Sequence, residues 1–534
     1  MKRFLAATCA TAFAAVAVAS AGAAPRVTGS AVVDFDNGLQ FPRNKQNEPS
    51  ITRDPQTGAL VAGANDEYSL RLCRGATAPL TTPCPFTPGA PISAYYRSTD
   101  NGQTWTGGYL PGFDTIGRLS GGDPSLDVGP RRCADGRTFS WSCGTDVYYA
   151  SLADSFPDFG GEQVTVSRST DDGATWAAPV AATSTDNKSD FDDHEWIAVD
   201  KGASSPTFGR IYIFWADYCN TCSGNGRVKL YVDSSSDEGR TWTKALQLSG
   251  SAFNSVQGQI ETGQIVVASD GTVEAFWTDH ADSKGKYPST QVVAVSRDGG
   301  ASFSAPTSID GVTDYPLSGT PFDVVDLYNR VPGMSARVDC YPHPAADPTS
   351  NRVYVVWCDF SGGVGTLRGA YSDDGSTWTS LDTVARVSGR NAFFPAIDVS
   401  PRGLAVIGFD ALTAPLAPEL WGTGKQVYDY YEVQGSARGF TAPLRVSAAS
   451  SNPEASSYNN LKEQFLGDYT DLVAGPSSSF LAWTDASQAS LCQAVSDYRA
   501  QVYAGSSTAV APNPDTACAT GFGNTDTAIG IVSN

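Results

Sequence analysis

Six short segments of this chain hold the residue types that acid–base chemistry on a polar substrate needs. They are Asn47-Glu48, Gly122-Asp123, Asp192-Asp193-His194-Glu195, Glu261, Arg337-Val338-Asp339-Cys340-Tyr341 and Gly467-Asp468-Tyr469. Each stands just ahead of, or at the start of, a short apolar run of strand character. Two separated carboxyls are the minimum equipment for cleaving a glycosidic bond. Carboxylates crowded into a partly dry place acquire divergent pKa values, which lets one act as acid while another stays charged. Glu195, Asp123 and Asp339 are the candidate acids and bases. Tyr341 or Tyr469 is a candidate nucleophile if a Glu takes its proton. His194 is a candidate proton shuttle, since imidazole changes charge near neutral pH. Arg337 could grip a substrate carboxylate bidentately. Glu48, Glu261, Asp468, Tyr469 and His343 complete the expected substrate-lining set. Structural readings stand beside these. Asp123 and Asp468 could instead hydrogen-bond the backbone of a neighbouring unit, and His343, in Tyr341-Pro-His-Pro344, could be a stacked turn residue. His280 reads as a loop residue, and Trp196 and Trp215 as core. No cofactor is required by the sequence, although a ring of carboxylates with backbone carbonyls could hold Ca2+.

A repeat must position these segments. Ser98-Thr-Asp-Asn-Gly-Gln-Thr-Trp105 recurs as Ser169-Thr-Asp-Asp-Gly-Ala-Thr-Trp176, as Ser235-Ser-Asp-Glu-Gly-Arg-Thr-Trp242, as Ser296-Arg-Asp-Gly-Gly-Ala-Ser-Phe303 and as Tyr371-Ser-Asp-Asp-Gly-Ser-Thr-Trp378. The octet encodes a turn: Asp accepts loop N–H groups, Gly supplies positive φ, and the aromatic re-enters a strand. Ahead of each copy lies an alternating strand such as Gln163–Arg168, so the turn joins antiparallel strands. A second pattern precedes each octet: a short apolar strand, a turn, and a strand ending in Trp-x-Asp or similar. It opens at Glu48-Pro-Ser-Ile51, Asp123-Pro-Ser-Leu126, Glu195–Val199, Gln264–Val267, Arg337-Val-Asp339, Phe394-Pro-Ala-Ile-Asp398 and Tyr469–Val473. Units six and seven lack the octet, with Gln434-Gly435 and Tyr503-Ala504-Gly505 in its place.

Seven units of four short strands predict an all-β chain folded as one β-propeller, with six blades as the alternative. The octet turns fall between the third and fourth strands of a blade. The length allows about 73 residues per unit, above the ~40–50 of compact propeller blades, and insertions 69–91, 130–144 and 310–334 absorb the excess. A strand near Ala31–Phe35 is expected to close the last blade. Residues converging on one end of the central channel would then be the acidic segments named above.

The octets resemble the Asp-box, or BNR repeat, of the sialidase-like propeller superfamily, and the resemblance spans roughly residues 47–505. It implies a propeller in which Asp100, Asp171, Asp237, Asp298 and Asp373 are structural. It also implies glycan-directed activity or glycan binding. The Arg-Ile-Pro element of sialidases is absent, Phe41-Pro42-Arg43 being a poor match, and seven units are counted where the familiar sialidase has six blades.

Composition sets the compartment. The chain has 534 residues and a formal charge of −20, which argues against nucleic-acid or anionic-membrane surfaces. Residues 1–24 read as a secretory signal peptide: Lys2 and Arg3, an apolar stretch, then small residues at Ala21, Ala23 and Ala24. The expected mature domain is 25–534. Of the 11 cysteines, Cys9 lies in the leader. The other ten suggest disulfides between sequence neighbours: Cys73–Cys84, Cys133–Cys143, Cys219–Cys222, Cys340–Cys358 and Cys492–Cys518. The expectation is therefore a secreted monomer, extracellular or periplasmic, that meets a glycan and spans no membrane. Hydrolysis of a glycosidic bond leads. A non-catalytic binding propeller, contacting its partner through 69–91 and 310–334, and a polysaccharide lyase are the alternatives.

Overall fold

A computed structural model describes residues 24–35, 38–69, 92–155, 162–183, 190–219, 227–249, 260–261, 263–279, 289–316, 329–338, 340–413 and 426–534. Residues 1–23, on which the expected signal peptide falls, Cys73, Cys84, Cys222, His280 and Asp339 lie outside the described residues, and so do most of insertion 69–91 and residues 317–328. Alternating apolar residues build seven separate antiparallel sheets, each of four strands or a close variant. The innermost strands are Gln46–Arg53, Arg118–Arg132, Asp190–Val199, the pair Ile260–Glu261 and Ile265–Val267, His343–Ala346, Arg390–Val399 and Asp471–Ala474. This is a seven-bladed β-propeller, as the repeat predicts.

Ring closure comes from both termini. The last sheet runs Asp471–Ala474, Ser478–Asp485, Asp526–Ser533 and then Val27–Val32 as its outermost strand. The closing strand therefore begins four residues before the predicted Ala31–Phe35. Blade seven also departs from prediction at Tyr503, which ends an α-helix, Gln493–Tyr503, carried on a long insertion between the second and third strands. The predicted insertion 130–144 is an extension of two long paired strands, clipped by Cys133–Cys143. Cys340–Cys358 and Cys492–Cys518 are also bonded. The three disulfides among the described residues fit an oxidising, extracellular type of environment. Among the described residues no helix is long and apolar enough to cross a membrane.

The octets join blades as well as strands. Asp100 accepts from Gln103 N, Thr104 N, Thr104 Oγ1 and Ser98 Oγ, and Asp171, Asp237 and Asp298 repeat the pattern. Each octet aromatic packs at the seam with the preceding blade. Trp176 meets Tyr95, and Trp378 meets Phe276. The Gly at positive φ fits the same seam, since a Cβ on Gly173 would lie 3.0 Å from Val61 of the preceding blade.

The fifth copy corrects the predicted assignment of Asp373. Its turn is one residue shorter, and Asp374 takes the Asp-box role: Ser376 N and Thr377 N donate to Oδ1 at 2.8 and 2.7 Å. Asp373 instead pairs with Arg352 on the surface. Asp374→Ala should therefore destabilise by roughly 1–3 kcal/mol through lost turn hydrogen bonds. Asp373→Ala should change stability by no more than about 1 kcal/mol, as exposed ion pairs do. Urea unfolding of the two variants checks the reassignment.

Inner strands leave one edge unpaired toward the channel, and buried N–H groups there need acceptors. Side chains of the adjacent blade supply them. Asp127 Oδ2 accepts from Val199 N at 2.7 Å, Asp398 Oδ2 from Ala474 N at 2.8 Å and Asp471 Oδ2 from Ile51 N at 2.9 Å. Ser50 and Ser125 hydroxyls accept from Leu126 N and Ile197 N. This blade-joining backbone role thus falls to Asp127, Asp398 and Asp471, the first and last of them four and three residues downstream of Asp123 and Asp468.

Candidate active site at the channel face

Four inner strands carry the same irregularity. Pairing with the second strand slips between Asn47 and Ser50, Gly122 and Ser125, Asp193 and Trp196, and Phe393 and Ala396. At each slip one residue sits in the left-handed region: Glu48 (φ 54), Asp123 (φ 51), His194 (φ 57) and Phe394 (φ 47). A bulge re-aims its side chain out of the pleat, and a non-glycine residue there is held in a sparsely populated conformation. The next residue is Pro49, Pro124, Glu195 or Pro395, and Pro suits a bulge because it has no N–H to place in the ladder. The fold thus turns Glu48, Asp123 and His194 toward the channel. Gly122 permits the close approach of Asn65, whose Oδ1 would lie 2.4 Å from a Cβ added there.

The gathered groups are mostly acidic. Asn65 Nδ2 donates to Glu48 Oε2 at 2.6 Å and reaches Asp123 Oδ1 at 3.4 Å, while Asp123 N donates to Asn65 Oδ1 at 2.6 Å. Glu48, Glu195 and His194 are buried, whereas Asp123, Asp193, Asp468 and Arg337 stay partly open to solvent. Burial first, then the charges of Asp123 and Asp468, hold the Glu48 carboxyl well above its ordinary range. Burial and Asp123 do the same for Asp193, and burial, Asp123 and Asp193 for Glu195. Burial pushes the His194 imidazole down, which keeps it neutral. Both carboxyl oxygens of Glu195 and both ring nitrogens of His194 are buried without a hydrogen-bond partner.

Blades five and seven supply the facing side. Arg337 donates from Nε to Asp468 Oδ1 at 2.6 Å and from Nη2 to Asp468 Oδ2, so its fork is closed on a protein carboxylate. Tyr341 OH donates to the Asp468 carbonyl at 2.9 Å, and Tyr469 OH to the Pro124 carbonyl at 3.0 Å. The Tyr469 phenol is pushed well up by burial and by Asp123. The rings form a continuous chain: Trp196 to Tyr469 (5.8 Å), Tyr469 to His194 (5.4 Å), His194 to Tyr341 (4.8 Å) and Tyr341 to His343 (4.7 Å). His343 Nδ1 lies 2.9 Å from Gln264 Nε2, and burial drives its pKa down to about 3.

The structure therefore brings Glu48, Asp123, His194, Glu195, Arg337, Tyr341, His343, Asp468 and Tyr469 to one end of the ring. Glu261 pairs through its backbone with Thr278 in blade four, and its side chain is outside the described set. Asp193, Asn65, Asp154 and Glu162 join the cluster without having been selected as site residues. Asp154 is pushed up to about 6 by burial, and Glu162 well up by burial and by Asp154. Among the described residues no group of three His, Cys, Asp or Glu is arranged to hold a metal ion.

Five octet turns and seven blades decide the architecture. The chain folds as an Asp-box seven-bladed propeller. No protein-family model and no curated protein matches it. An α-L-arabinofuranosidase of Fusarium graminearum is similar over 76% of this chain and 98% of its own, at 14% identity and a TM-score of 0.42. A leech intramolecular trans-sialidase is similar over 68% and 65%, at 12% identity and 0.37. A polysaccharide lyase, an ulvan lyase, is similar over 68% and 82%, also at 12% and 0.37. These are distant likenesses of fold.

Buried acids elsewhere give the propeller a pH signature. Burial pushes Asp66, Asp192 and Asp471 up to about 7 and Glu274 up to about 8. A carboxyl raised in the folded state contributes stability that is complete below its unfolded pKa and lost as pH rises through the folded one. The contribution of these acids should be largest below about pH 4, fall as pH rises from about 4 to about 7–8, and be gone above that. Glu274→Gln should recover part of the alkaline loss, because its Oε2 is buried without a partner. Calorimetric Tm values across that range test both statements.

Proposed function

We propose that this propeller hydrolyses glycosidic bonds at the channel face and acts outside the cytosol as a monomer. One observation carries the reading: Glu195 is buried with both carboxyl oxygens unpartnered, beside the partly open carboxylate of Asp123. A neutral, buried carboxylic acid is equipped to protonate a leaving oxygen, and a neighbouring carboxylate is equipped to support the positive charge that develops on the sugar. Glu195 is the proton donor in this reading, and Asp123 is the anionic partner, oriented by Asn65. His194 and the Tyr341–His343 stack form a wall that orders the sugar.

The Tyr-nucleophile variant is not favoured, because the Tyr341 and Tyr469 hydroxyls are donated to backbone carbonyls. A lyase would need a cation to neutralise a uronate, and the Arg337 fork is closed on Asp468. The test is incubation of the purified protein with a panel of neutral, amino and acidic oligosaccharides. New reducing ends without unsaturated products are expected. Binding without product from any member would favour a non-catalytic receptor instead, and unsaturated products would establish a lyase.

A further inference from the structure

The channel end is crowded with carboxyl groups and holds few cationic side chains. Glu48, Asp123, Asp193, Glu195 and Asp468 converge there, with Asp154 and Glu162 behind them. The donors close by are already engaged: Asn65 Nδ2 on Glu48, Tyr469 OH on the Pro124 carbonyl, Tyr341 OH on the Asp468 carbonyl, and the Arg337 fork on Asp468. Glu195, 2% exposed, has no donor on either oxygen, and His194, 7% exposed, has no partner on either nitrogen. Rings of Trp196, Tyr469 and Tyr341 line the same place.

We propose that this site takes a glycan bearing a free, protonated amine. An ammonium brings three donors and a positive charge to a carboxyl-rich, partly dry site, where the Coulomb attraction is stronger than in water. Aromatic faces add attraction for the same charge. An acidic sugar meets the carboxyls of the cluster, and the Arg337 guanidinium is already engaged by Asp468. An inorganic cation is the rival occupant, but among the described residues no three ligands are arranged for it. This inference deepens the hydrolase reading and rests on it for the glycan part of the ligand.

The experiment is titration calorimetry on Glu195→Gln, so that turnover does not enter, at low salt and about pH 6, where a sugar amine is charged. The probes are a short glucosamine oligomer, its N-acetylated counterpart, an oligouronate of equal length, and CaCl2. One glucosamine oligomer per chain is expected, bound about tenfold or more tightly than the N-acetylated oligomer, with no uronate binding. Adding Asp193→Asn should remove that preference. Equal or tighter binding of the N-acetylated or acidic oligomer overturns the proposal. So does a preference that persists with Asp193→Asn, which marks diffuse attraction to an acidic surface, or stoichiometric Ca2+ that displaces the amine. Amine-selective binding with no hydrolysis by the wild type would remove the hydrolase reading alone, while cleavage of N-acetylated glycans without amine preference would remove this inference alone.

Discussion

Glu195→Gln should lower kcat on an unactivated glycan by about a thousandfold, within the ~10²–10⁴ that a positioned general acid supplies. The geometry behind this figure is specific. Glu195 follows a bulge residue, His194, at φ 57, is buried, and meets no hydrogen-bond donor from another residue. Burial and the charges of Asp123 and Asp193 keep it protonated. Gln preserves the shape and removes only the transferable proton. A role in proton donation makes a second result follow. With an aryl glycoside, whose leaving group departs without protonation, the loss should shrink to less than about tenfold. A merely structural role would lower both substrates equally. Tm should not fall, because a neutral amide replaces a carboxyl that is poorly solvated when charged. It should rise relative to the wild type as pH increases beyond the ordinary carboxyl range.

Arg499→Met should destabilise the protein by about 3–5 kcal/mol. Arg499 lies on the helix of the blade-seven insertion and is 3% exposed. Its guanidinium donates to the carbonyls of Leu461, Glu454, Ser456 and Glu463 and to Ser457 Oγ, all between 2.9 and 3.1 Å. Met fills similar volume but leaves those buried carbonyls without donors. Lys should not rescue, since one ammonium cannot reproduce the planar fork. The strap held by Arg499 runs on to Gln464, which bonds Ser335, and to Asp468, which grips Arg337. Hydrogen exchange of residues 454–468 should therefore accelerate in Arg499→Met, together with a rise in KM. Unchanged exchange there would separate the helix from the site.

Much of the architecture was legible because the repeat is local. An Asp-box needs only eight residues, and its Asp, Gly and aromatic each have a mechanical reason to recur. The fifth copy misled because a one-residue deletion leaves two adjacent aspartates, and only the hydrogen bonds show that Asp374 holds the turn. Closure was legible as a need for an N-terminal strand but not in register, since Val27–Val32 and Ala31–Phe35 have similar alternation. The helix ending at Tyr503 was missed because an insertion inside blade seven breaks the spacing that the other units obey.

The candidate site was legible where a bulge residue precedes Pro, as at Glu48 and Asp123, because such a pair cannot continue a regular ladder. Asn65, Asp154 and Glu162 were missed for a physical reason: they lie on second strands or the turns after them, and only the curvature of the ring carries them to the channel. Carboxylates that look alike in sequence also divide into two jobs. Asp127, Asp398 and Asp471 each accept a backbone N–H of an adjacent blade, whereas Asp123 and Glu195 are the pair assigned to a ligand in the proposed function.

The most direct test of the account is a crystal structure of Glu195→Gln soaked with whichever oligosaccharide the wild type cleaves. Sugar density should lie at the channel end, with the scissile oxygen within hydrogen-bond reach of residue 195 and Asp123 beside the same ring. Density confined instead to the cleft between blades seven and one, beside Arg53, Gln103 and Ser478, with the channel end empty, would contradict it.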